Sequence, residues 1–330
     1  MEGLRNLHPG VFIGTATDRY AGWLGSVYTP GRYRERITKR SHRVGGKEYV
    51  EEVLPVDSVQ EYFEHFPLLE IDFTFYRPLL EWDGRPTPVY HTLKSYRQYL
   101  KAGDRIFLKV PRAIMAHRIP RGGSFSDNEH YLDPEFFRRR FYDPAVEILG
   151  SCLAGFVFEQ EYQRKKERPQ PGEMAAELDV FFGSTPADDR FHLELRTEAL
   201  LSPPVFDILE KHGVGQILSH WTWLPSLMTQ FQRSDRRLFN RVKDLVIRLM
   251  TPHGMRYEES YAKAFPFDSL VEGMLSTRMV EETVLLMGEA VDRGWQANVI
   301  VNNRAGGSAP AIARIIAEEF SGRTGEGAGG

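Results

Sequence analysis

Branched and aromatic residues gather in eight short runs: VFIGTAT from Val11, LLEIDFTFY from Leu68, IFLKVP from Ile106, CLAGFVFEQ from Cys152, FHLELRT from Phe191, VGQILSHW from Val214, LVIRLMTP from Leu245 and ANVIVNN from Ala297. Each has the length and composition of a buried strand. Between them stand segments with helical spacing or helix start signals: VQEYFEHF, YHTLKSYRQYL, EMAAELDVFF, PPVFDILEKHG, LPSLMTQF, a long one from Asp268 to Arg293, and AIARIIAEEF near the end. Eight strands alternating with helices over this length predict an α/β fold, a TIM (β/α)8 barrel forming a single domain over residues 1–321. The runner-up, a doubly wound open sheet, usually carries a glycine fingerprint after its first strand, which VFIGTATDRY lacks. Two stretches interrupt the alternation, about 32–55 and 120–135, and both fall on the face where such a barrel keeps its active site.

Alternation within the strands predicts what lines the barrel. Side chains point to opposite faces in turn, and the apolar set must meet the helices outside. In LEIDFTFY this sends Leu69, Ile71 and Phe73 outward and Glu70 and Asp72 inward; Lys109, Glu194 with Arg196, and Arg248 follow on other strands. The expected lumen therefore holds Glu70, Asp72 and Glu194 against Lys109, Arg196 and Arg248, and the cost of burying unpaired charge requires ion pairs among them.

Composition narrows the setting. A formal charge of −3 gives no global basic field for nucleic acid, although RYRERITKRSHR concentrates cations in an expected loop that could touch phosphates. The lone Cys152 excludes an internal disulfide framework and a cysteine zinc cluster, which suits a reducing compartment. The first residues have no secretory pattern and no apolar segment approaches membrane-spanning length, so a cytoplasmic protein with no membrane partner is expected. GRTGEGAGG, from residue 322, reads as a disordered tail.

Several motifs together carry a family resemblance. FIGTATDRYAGWLGSVYTP, LLEIDFTFYRPL, RIFLKVPRAIMAH, LGSCLAGFVFEQ, LELRT and VNNRAGGSAP resemble, in order, the characteristic segments of the DUF72, or YecE-like, family over nearly the whole chain. The resemblance implies a TIM barrel and brings no established reaction with it. The chain departs from the pattern at Asp72, where the family often has Asn, at Glu161 and Tyr162 in place of two prolines, at Thr197 in place of a histidine, and in RLMTPHG around His253.

Candidate chemistry collects at the strand ends. Asp72 or Glu194 suits a general acid or base, and Lys109 suits the stabiliser of a developing oxyanion. Strand eight ends in Asn302, Asn303 and Arg304, then Gly306, Gly307 and Ser308 lead into a helix. Such a turn aims backbone N–H groups at an anion, or else Ser308 is merely a cap and the glycines a loop. Tyr20, Trp23 and Tyr28 of the first loop could stack on a sugar ring or base or close the barrel as core, and Tyr76 and Arg196 would join Tyr20 and Trp23 in substrate binding. Asp72, Glu194, His220 and His253 are the potential metal ligands, but their spacing and the surrounding cations argue against a metal, and no cofactor is expected. The leading expectation is an enzyme, of hydrolase, lyase or isomerase type, doing metal-independent acid/base chemistry on a phosphorylated or otherwise anionic small molecule. The alternatives are a nucleic-acid-processing or nucleic-acid-binding barrel, endonuclease IV-like by fold analogy alone, and a non-catalytic binder of an anionic ligand.

Overall fold

All eight apolar runs become parallel strands, and the strands close on themselves. In the computed structural model, which describes residues 4–121 and 124–326, the chain order is β1 (Val11–Ala16), β2 (Thr38–Val44), β3 (Lys47–Val53), β4 (Leu68–Ile71), β5 (Arg105–Lys109), β6 (Arg118–Arg121), β7 (Ser124–Asp127), β8 (Leu153–Glu159), β9 (Phe191–Glu194), β10 (Gly215–His220), β11 (Asp244–Leu249) and β12 (Gln296–Val301). The barrel runs β1-β12-β11-β10-β9-β8-β5-β4 and β4 pairs back onto β1, with Gly14 opposite Leu68. Gly14 is required there: a Cβ would lie 1.9 Å from the Leu68 carbonyl oxygen. With helices outside a closed parallel barrel, the fold is that of a TIM barrel.

The two faces of each strand separate two apolar compartments. Leu69 and Ile71 join the outer core with Val59, Tyr62 and Phe66, from the helix Val59–His65 and its end. Leu68, Phe107, Val157, Ile217, Val246 and Ile300 form a separate cluster inside the barrel. That inner plug fills the middle of the lumen, separating the Arg105–Asp244 pair, 3.8 Å apart at the N-terminal strand ends, from the charged side chains that gather toward the C-terminal ends.

The structure corrects the expected pattern in several places. Strand β4 ends at Ile71, and a 3-10 turn over Phe73–Phe75 breaks the alternation. Phe73 still packs outward, 5.8 Å from Tyr96, but Phe75 turns back beneath Lys109. Both interruptions are antiparallel hairpins rather than plain loops, β2–β3 and β6–β7. The long helical segment expected over 268–293 is helical only from Thr277 to Asp292, where Ser276 accepts the Met279 N–H at 3.2 Å and sets the start. The last helix, Ala309–Glu326, continues past residue 322, where a disordered tail is expected; residues 327–330 lie outside the described residues. No helix among the described residues is long and apolar enough to cross a membrane.

Candidate functional site

Three carboxylates and three cations interlock in the upper lumen. Arg248, fully buried on β11, donates from Nε and Nη2 to both oxygens of Glu70 on β4, each at 2.8 Å, and from Nη1 to Glu194 on β9. Glu159 at the end of β8 takes Lys109 at 2.7 Å and Arg196 at 2.8 Å, and Arg196 also lies 3.1 Å from Glu194. Equal numbers of each sign make the group neutral, which is what burial demands. Burial alone would raise the Glu159 carboxyl, yet Arg196, Lys109 and Arg248 together hold it well below the usual carboxylate range. Burial would likewise lower Arg248, but Glu194, Glu70 and Glu159 hold it well above its ordinary value. Glu159 and Arg248 stay ionised, and their partners hold them in place.

Above this layer opens a cavity of about 570 Å³, bounded by the barrel mouth and the β2–β3 hairpin. Eight lysine and arginine side chains line it against four acidic ones. The hairpin is fastened by Tyr261, whose hydroxyl lies 2.8 Å from His42 Nε2 and donates to Glu51 at 2.6 Å, and by an apolar cluster that includes Val44, Tyr49 and Phe267. Arg40 and Arg43 are thereby placed on the cavity wall. Asp72, at the start of the 3-10 turn, lines the same wall with no ion pair or side-chain hydrogen bond among the described residues. Its charge acts on Tyr20 and Tyr76, as does that of Arg304, and all four side chains line the cavity. Arg304 has no carboxylate partner among the described residues and stacks over the Tyr257 ring at 4.5 Å.

Residues 12–327 match the family described as "Protein of unknown function DUF72". The chain belongs to the DUF72 family. A DUF72 family protein from Enterococcus faecalis V583 is similar in structure at 13% identity, covering 94% of this chain and 95% of that one with a TM-score of 0.58. One from Thermotoga maritima MSB8 is similar at 14% identity, covering 96% and 99%, with a TM-score of 0.53. At these identities the likeness shows the fold. No curated protein matches the sequence.

Within this DUF72 barrel, the residues expected at the site separate into four groups. Asp72, Lys109, Arg196, Tyr20, Tyr76, Asn302 and Arg304 all line the cavity. Glu194 is buried beneath Arg248 and Arg196 and does not line it. Trp23 is fully buried, packed 5.2 Å from Tyr20 and stacked on Tyr28, so its ring is core. Asn303, Gly306, Gly307 and Ser308 do not line the cavity. The N–H groups of Gly306 and Gly307 donate to the Asn303 carbonyl at 3.2 and 2.6 Å, and that of Ala309 donates to the Asn303 side chain at 2.8 Å. The expected anion cradle is thus closed by Asn303, which caps the last helix itself. Asn302 accepts the Arg304 N–H at 3.0 Å and so aims Arg304 toward the mouth.

Sequence reasoning missed Glu159 and Asp18. Glu159 is the first charge after the run FVF and shares its strand face with Val157, a signal available from parity alone. The structure brings no group of three or more His, Cys, Asp or Glu side chains into metal-binding proximity among the described residues. His220 and His253 instead stack face to face at 4.1 Å, with burial and the neighbouring ring pushing His220 down to about 3.

Asp18 follows β1 and is almost completely buried, with Oδ1 accepting the Tyr96 hydroxyl at 2.8 Å and Oδ2 unpartnered. Burial pushes its carboxyl up to about 6, against Arg19 and the Tyr96 hydrogen bond. The folded chain therefore holds this proton where the unfolded chain, at about 3.8, has released it. The carboxyl's burial is uncosted below pH 4 and becomes destabilising as pH rises through 6. Asp18→Asn is expected to stabilise the protein at pH 8 by on the order of 1–2 kcal/mol, with no gain at pH 4, as melting curves at the two pH values would show. Equal gains at both would contradict it.

Proposed function

We propose that the barrel mouth binds an anionic, phosphate- or carboxylate-bearing small molecule and that Asp72 acts on it as general base. The observation that supports this reading is the unpaired Asp72 carboxylate, which lines the same cavity as Arg304, where the lining cations outnumber the acids. Arg304 and Arg196 would hold the anion, since guanidinium forks match its oxygens. Lys109, held by Glu159, would face charge developing on the substrate, and Glu194 would act from below by orienting Arg196. The residues of the buried layer are already ion-paired, which leaves Asp72 as the carboxylate free to take a proton.

The nucleic-acid alternative draws less support. Arg32, Arg36 and Lys39 of the basic run pair with Glu61, Asp57 and Glu52, and Arg40 and Arg43 belong to the cavity wall.

Titration of orthophosphate at constant ionic strength, followed by thermal shift, is expected to show saturable stabilisation of the wild type. Arg304→Ala should weaken it about tenfold, and Asp72→Asn should strengthen it by removing a like charge. Incubation with a cell metabolite extract should deplete an anionic component with the wild type and not with Asp72→Asn. Binding without depletion would support the non-catalytic alternative; absence of both would defeat the proposal.

A further inference from the structure

A second, smaller cavity of about 160 Å³ opens beside the first. Phe75, Arg112, Glu159 and Arg196 line both, so the two spaces share a wall of four side chains. Its outer side is formed by Phe125 from β7 and by Tyr162 just beyond β8. Phe125 is 60% exposed and Tyr162 43% exposed, so both rings present apolar surface to solvent at the cavity. Phe125 stacks on no other ring among the described residues, whereas Tyr162 is braced by Trp221 at 5.5 Å and Trp223 at 6.2 Å. Trp221 also lines the main cavity and carries the Arg196 guanidinium over its ring at 5.1 Å. The platform is therefore continuous with the anion-holding side of the mouth.

We propose that this side cavity is a ring subsite, and that the ligand of the mouth is a phosphate or carboxylate attached to a polar ring that stacks there. The inference rests on the anion reading of the main cavity. Three observations carry it beyond that reading. First, a cavity of ~150 Å³ accommodates a single six-membered ring, and this one has that size. Second, exposed aromatic faces gain most from a flat ring laid against them, because stacking removes apolar surface from water on both partners. Third, the lining is not purely apolar. Glu161 Oε2 accepts the His117 backbone N–H at 3.2 Å and the carboxylate is also hydrogen-bonded by the Arg118 backbone N–H, but its roughly four lone-pair sites leave room to accept from a ring hydroxyl or amino group. Arg112, which lines both spaces, makes no ion pair or side-chain hydrogen bond among the described residues and would reach the anion from the ring side.

A sugar and a nucleobase both satisfy this chemistry, and the test separates them. Isothermal titration would compare orthophosphate, glycerol 3-phosphate, glucose 6-phosphate and adenosine 5′-monophosphate on the wild type, Phe125→Ala, Tyr162→Ala and Tyr162→Phe. One of the two ring-bearing phosphates is expected to bind about tenfold or more tightly than glycerol 3-phosphate. Phe125→Ala and Tyr162→Ala should erase that increment while leaving orthophosphate affinity unchanged, and Tyr162→Phe should retain it. The identity of the tighter ligand states whether the ring is a sugar or a base. If orthophosphate binds but rings add nothing, or if the increment survives both alanine variants, the subsite is wrong and the anion reading stands. If none of the four compounds binds, both fall together.

Discussion

Replacing Arg248 by methionine is expected to cost the barrel about 3–5 kcal/mol, the range for breaking a buried ion pair by removing one partner. Arg248 is fully buried, bonded twice to Glu70 and once to Glu194, and lies 3.5 Å from Glu159. Methionine fills much of the same volume but leaves Glu70 with no ion-pair partner among the described residues and Glu194 with Arg196 alone, in a medium that solvates charge poorly. The loss should be largely reversed in the triple variant Arg248→Met, Glu70→Gln, Glu194→Gln, because neutral amides remove the stranded charge. Lys109→Met should cost less, since Glu159 keeps Arg196 at 2.8 Å. Urea unfolding of the four proteins reads the order directly. A Lys109→Met loss as large as that of Arg248→Met, or a triple variant no more stable than the single one, would show that the charged layer is not organised around Arg248.

Gly307→Val carries the second large effect, on the order of 3 kcal/mol, from strain together with collision. The residue sits at φ +111, and a Cβ would lie 2.3 Å from the Ser269 carbonyl oxygen and 2.9 Å from the Val271 nitrogen. Neither neighbour can withdraw easily, because Val271 N–H donates to the Gly306 carbonyl at 2.9 Å and ties the segments together. The loop does not line the cavity, so protein that still folds should keep its phosphate affinity. The opposite result, unchanged melting with lost phosphate binding, would return the anion to the glycine turn.

Much of this architecture is legible in the chain itself. Eight apolar runs, the helical spacing between them and the parity that sets Glu70, Lys109, Glu194, Arg196 and Arg248 on the inner face are local patterns. A strand between a lumen and a helical layer must show them, wherever its neighbours lie. The pairing is different in kind. Arg248 and Glu70 are 178 residues apart, and nothing near either residue specifies the other until the barrel closes. The same holds for Glu159, one charge after an apolar run, whose importance comes from the two cations that β5 and the end of β9 bring to it. Where the strands stop, even local reasoning loses its period. The 3-10 turn after β4 sends Phe75 inward and leaves Asp72 unpaired, and the turn after β12 spends Asn303 on the helix cap while releasing Arg304 to the mouth. Which strand side chains turn to the lumen follows from the chain alone, because alternation is a property of each strand. Which charges cancel and which remain for a ligand follows from the closed barrel, because it depends on contacts between strands and turns far apart in the chain.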